Sequence, residues 1–196
     1  RIRWKKQALF QKYFCKRRNR KRTAAVASAL QSAQNNATLK ENNQDYKEIT
    51  IQSIQRIQPF ACKTLDAAGS RALANAHKKL LLEARKVPLG IEKARCYGLD
   101  MQPMGEYITG QRAGSVRVPN YSTPHIVIHN HPSGLTFSPG DILGFAARDS
   151  MRMLTIVGND GSIYALEKTA ATNPELLTKA ATKLNVSANE PSLTPQ

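Results

Sequence analysis

The segment HIVIHNHPSGLTFSPGD, residues 125–141, restricts the fold more than any other part of the sequence. It opens as a short apolar strand over His125–His129, is redirected at Pro132, and passes through a Ser-Gly turn into a helix opened by Ser138. His129 and His131 stand at i and i+2 where the strand runs out, so both imidazoles point to the same side. Asp141 follows in the first turn of the next helix. Two imidazoles and one carboxylate fill three positions of a zinc tetrahedron and leave the fourth for water, which is the catalytic rather than the structural kind of site. Zinc would lower the pKa of that water to about 7. A plainer reading exists for each part. Ser138-Pro139-Gly140-Asp141 has the form of a capping box, so Asp141 can serve as a cap, and His129 and His131 can be polar residues at a strand end. The conjunction of all these features within 13 residues favours the metal site.

Around this segment the pattern is that of an α+β unit. Thr64–Lys86 predicts a helix with Leu73, His77, Leu80 and Leu81 on one face. A lone helical histidine is ordinarily structural, and His77 is read so. Strands are expected at Glu92–Tyr97, Glu106–Thr109, Ser115–Val118 and His125–His129, with a turn cluster at Gly98–Pro103. Met153–Gly158 and Ser162–Leu166 flank Asn159-Asp160-Gly161 and read as a hairpin. Asn173 caps a last helix, PELLTKAATKL, and the polar tail SANEPSLTPQ is expected to be disordered.

Charge divides the chain. The 196 residues carry a net +15, and residues 1–22 alone hold 11 basic side chains and no acid. The body that follows is close to balanced. Within the arm, Leu9, Phe10, Tyr13 and Phe14 have amphipathic helical spacing. Three readings stand: the end of a longer parent helix, a contact for nucleic acid or another anionic surface, or a targeting or membrane-surface role. Residues 23–47, rich in Ala, Gln, Asn and Ser, read as a polar linker, 48–170 as the folded domain, and 171–196 as a short helix and tail. No run of 18 apolar residues exists, so no membrane-spanning helix is expected. Three scattered cysteines with no CxxC pair argue against a disulfide framework or a thiolate zinc site and fit an intracellular setting. No secretory signal is visible, and a chain starting at Arg1 reads as a fragment or processed product.

The run His129-Asn130-His131-Pro132, then Ser138 and Asp141, resembles the signature of the JAB/MPN (JAMM) metalloprotease-like superfamily, with the HNHPSG wording similar to its RadC-like branch. The spacer between Pro132 and Ser138 is one residue shorter than the common form and resembles JAB-like domains of phage head-morphogenesis and polymorphic-toxin proteins. The resemblance covers roughly residues 48–170. It implies a cytidine-deaminase-like mixed sheet flanked by helices, here preceded by the basic arm. It implies Zn2+ held by His129, His131 and Asp141, with Ser138 donating to the oxyanion and a glutamate on an earlier strand as general base. Glu92 is preferred for that base, and Glu106 is the alternative. His125 lies on the His129 face by alternation and is read as structural or supporting. The implied activity is a zinc-dependent peptidase or isopeptidase acting on a protein or peptide in a bacterial cytoplasm or a phage. Two other readings remain: a non-catalytic module of a phage minor head protein, with the arm against DNA or the portal, and a RadC-like nucleic-acid-associated protein.

Overall fold

The computed structural model describes residues 45–189, and their side chains as far as residue 183. The basic arm, most of the expected linker and the end of the tail lie outside the described residues. The described chain forms two compact units. The larger comprises 45–136 and 148–168, and the smaller comprises 137–147 and 169–189. The stretch 48–170 therefore contributes to both.

In the larger unit, Thr50 caps a short helix, α1 (Ile51–Gln55), through a capping box with Ser53. Helix α2 (Ala67–Ala84) starts at Asp66, whose carboxylate accepts the Gly69 N–H at 2.7 Å. Five strands follow: β1 (Ile91–Gly98), β2 (Pro103–Ala113), β3 (His125–His131), β4 (Met151–Gly158) and β5 (Ile163–Glu167). They form one open mixed sheet in the order β2-β1-β3-β4-β5. The β3/β4 pair is parallel and every other pair is antiparallel. The expected α+β class is thus what the chain forms.

Leu73, Ala74, Ala76, Leu80 and Leu81 of α2 recur at helical spacing and pack against Tyr97, Ile126, Ile128, Met153 and Val157 on one sheet face. Alternation sends Ala94, Cys96, Val127, Leu154 and Ile156 to the other face, where they are also buried. His77 belongs to the α2 core: it is fully buried, with Nε2 2.8 Å from the Thr155 hydroxyl.

In the smaller unit, Ser138 opens α3 (Pro139–Ala146). Asn173 caps α4 (Pro174–Asn189) by accepting the Leu176 N–H at 3.1 Å. Helix α4 runs to Asn189, so the residues Ser187–Asn189 expected in the tail are helical. Thr178 of α4 donates to the Ala146 carbonyl of α3 at 3.4 Å.

Two expectations need correcting. Ser115–Val118 is not a strand. Ser115 makes only an isolated bridge to Arg112, because the chain turns back tightly enough at Gly114 to bring the Ser115 carbonyl against Gly110, where any Cβ would lie 2.2 Å from it. Lys47 is not free linker either: its N–H donates to the Pro132 carbonyl at 2.8 Å. Among the described residues, no helix is long and apolar enough to cross a membrane.

Candidate metal centre

The pairing of β1 with β3 decides which glutamate meets the histidines. The two strands pair from Gly98↔His125 to Ala94↔His129, which carries the next residues of β1 toward the end of β3. Glu92 shares its sheet face with Ala94, and His131 shares that face with His129. One ligand atom from each of Glu92, His129 and His131 lies within 4.8 Å of the others. All three residues are buried, at 6%, 3% and 7% exposure. Glu106 stands exposed on the edge strand β2.

The donor atoms converge. Nε2 of His129 and Nε2 of His131 are 3.0 Å apart, and Nε2 of His131 is 3.9 Å from Oε1 of Glu92. His131 Nδ1 lies 2.9 Å from the Leu135 carbonyl. A carbonyl only accepts, so Nδ1 carries a proton, and a neutral ring held this way presents the Nε2 lone pair to the group. That is the tautomer a metal ligand needs, held by the kind of contact that orients ligating histidines. Zinc bonds of about 2.0–2.1 Å in a tetrahedron set ligand atoms roughly 3.3 Å apart, between the two separations seen here. The buried Glu92/His129/His131 group can therefore bind a metal ion.

The turn after His131 is fastened from several sides. The His131 carbonyl accepts the N–H of Gly134 at 3.0 Å and of Asn159 at 3.1 Å. Lys47 Nζ reaches Asp160 at 2.6 Å, and the Ser162 hydroxyl donates to the same carboxylate at 2.7 Å. Burial alone would raise the Asp160 pKa, but the hydrogen bonds from Lys47 and Ser162 outweigh it and hold the carboxyl below its ordinary value. Gly134, at φ +72°, is where this turn requires glycine: a Cβ there would lie 2.7 Å from Asp160 Oδ2.

Ser138 and Asp141 belong to the smaller unit, where they face each other. The Ser138 hydroxyl donates to Asp141 Oδ2 at 2.7 Å, the Ser138 N–H donates to the same oxygen at 2.8 Å, and the Asp141 N–H reaches Ser138 Oγ at 3.1 Å. The capping box anticipated as the plainer reading is present.

His125 is fully buried, with Nδ1 2.9 Å from the Thr123 carbonyl, which suits a structural place. Asn130, Asn159, Lys47 and Asp160 were given no role at the site from the sequence, Asn159 and Asp160 being read only as a hairpin turn. Alternation along β3 was the available signal for Asn130, since it puts that side chain on the face opposite the two histidines. Comparison with protein-family models, with curated proteins and with solved structures finds no match to the chain.

Proposed function

We propose that the chain is a zinc-dependent hydrolase of the JAMM type, cleaving a peptide or isopeptide bond. The observation that carries this reading is the buried convergence of Glu92 from β1 with His129 and His131 from the end of β3. In this reading His129 and His131 would hold zinc, with Asp141 as the further ligand that the resemblance implies. The metal supplies Lewis acidity and makes water a stronger acid. Glu92 takes a proton from the attacking water as its oxygen bonds to the carbonyl carbon. Glu92 then delivers that proton to the leaving nitrogen as the C–N bond breaks. The resemblance would give the Ser138 hydroxyl the part of donor to the developing oxyanion.

Elemental analysis of the purified protein beside His131→Ala is the first test, with about one zinc per chain expected in the wild type and loss in the variant. Hydrolysis is then followed on quenched peptide libraries and on lysine-isopeptide conjugates. Glu92→Gln should keep zinc and remove turnover. Zinc loss in Glu92→Gln would make Glu92 a ligand rather than the base. Abolition of turnover by Glu106→Gln alone would move the base to Glu106.

The concentration of positive charge in residues 1–22 favours a second reading: a non-catalytic phage head module or RadC-like protein that contacts nucleic acid through the arm. Absence of zinc from a folded wild type would favour it.

A further inference from the structure

The three residues of the metal group lie on one face of the sheet, and a pair of asparagines lies on the other. β1 and β3 pair only as far as Ala94↔His129. Beyond that point the Lys93 N–H donates to the side chain of Asn130, at 2.7 Å to Oδ1. The pairing of β1 with β2 also shifts register between Ile91 and Lys93. Glu92 therefore sits where β1 leaves regular pairing on both sides, and the Asn130 carboxamide spans the gap. Asn130 Nδ2 donates to Asn159 Oδ1 at 2.9 Å, and Asn159 Nδ2 donates to the Lys47 carbonyl at 2.7 Å. The Asn159 N–H in turn holds the His131 carbonyl at 3.1 Å. Both asparagines are nearly inaccessible, at 1% and 3% exposure.

We infer that Asn130, with Asn159 behind it, is the positioning residue of the metal group: it fixes the backbone beside Glu92 relative to both histidines. The inference rests on the metal-hydrolase reading. Three features support it. Asn130 lies between the two histidines in sequence. Its side chain bonds the residue next to Glu92. Its partner Asn159 bonds the backbone of His131. The amide pair thus links all three members of the group from behind, in buried surroundings where each lost hydrogen bond is costly. The cost of disturbing it should appear in metal affinity as well as in stability, as it does for groups that orient metal ligands.

The test compares wild type, Asn130→Ala, Asn130→Asp and Thr155→Val for zinc affinity, by competition with a chromophoric chelator, and for the visible absorption of the Co2+-substituted protein. Thr155→Val removes the hydroxyl beside His77 on the same sheet face and serves as a control for lost stability. Asn130→Ala should bind zinc 10- to 100-fold more weakly, in the range found for residues that support ligands, and alter the Co2+ spectrum. Thr155→Val should leave both unchanged. Asn130→Asp keeps an oxygen for the Lys93 N–H but sets a carboxylate oxygen against Asn159 Oδ1 in place of the donated hydrogen bond, so it should weaken zinc binding as well. Where Asn130→Ala does not fold, the isosteric Asn130→Leu replaces it. Wild-type affinity and an unaltered Co2+ spectrum in the Ala or Leu variant would overturn the inference and leave the hydrolase reading standing. Wild-type affinity in Asn130→Asp would also overturn it, because the bond to Asn159 would not be what matters. Absence of metal from the wild type would overturn both.

Discussion

His77 shows how one buried side chain ties stability to pH. Burial pushes its pKa down to about 3, so the folded chain holds it neutral. The unfolded value is near 6.5. The folded pKa lies below the unfolded one, so protons favour the unfolded chain. The full contribution of the neutral ring is present above pH 6.5 and is lost as pH falls toward 3. At pH 5 the loss is about 2 kcal/mol from this residue. Urea unfolding at pH 7.5 and pH 5, compared with His77→Met, should show that much less acid destabilisation in the variant. Equal acid sensitivity in both proteins would put the titration elsewhere. The same residue scale set a limit on reading the site. The i, i+2 spacing of His129 and His131 was visible in the sequence, because a strand fixes side-chain direction. The work of Asn130 was not visible, because an asparagine bonding a neighbouring strand looks in sequence like any polar residue at a strand end.

Among the elements, α3, like the shorter α1, depends on its N-cap residue. Eight residues are too few for a helix to hold alone, and the Ser138–Asp141 box satisfies donors at its start. Ser138→Ala should cost about 1 kcal/mol. It should also speed amide exchange across Ile142–Ala147. Zinc content should remain at the wild-type level, because Ser138 is not a ligand in the proposed site. Zinc loss would mean that the cap and the metal group depend on one another. The capping residues made this helix legible, as the β-rich runs on either side of Asn159-Asp160-Gly161 did β4 and β5. Strand β2 was harder to read. Its edge position leaves most side chains exposed, and Gly105 and Gly110 interrupt the alternation. Which glutamate lies beside the histidines depends on the pairing of β1 with β3, a long-range property carried by no local pattern.

Over the whole molecule, the separation between a charged arm and a nearly balanced body is a property of the sequence that can be tested directly. Replacing the six basic residues in KRRNRKR, residues 16–22, with glutamine lowers the net charge from +15 to +9. Elution from immobilised heparin should move to distinctly lower salt, as expected when fewer cationic side chains release counterions. An unchanged elution point would place polyanion binding on the body. The order of the five strands could not be derived from the sequence, since mixed sheets of many orders satisfy the same alternation. The faces of β3 could be derived. Asn130 looks one way and both imidazoles the other, so β3 works as a ruler whose graduations are single residues. One residue inserted within it would turn the histidines toward α2 and present the carboxamide in their place. Substitutions on that ruler can be weighed one at a time, but a change in its length cannot.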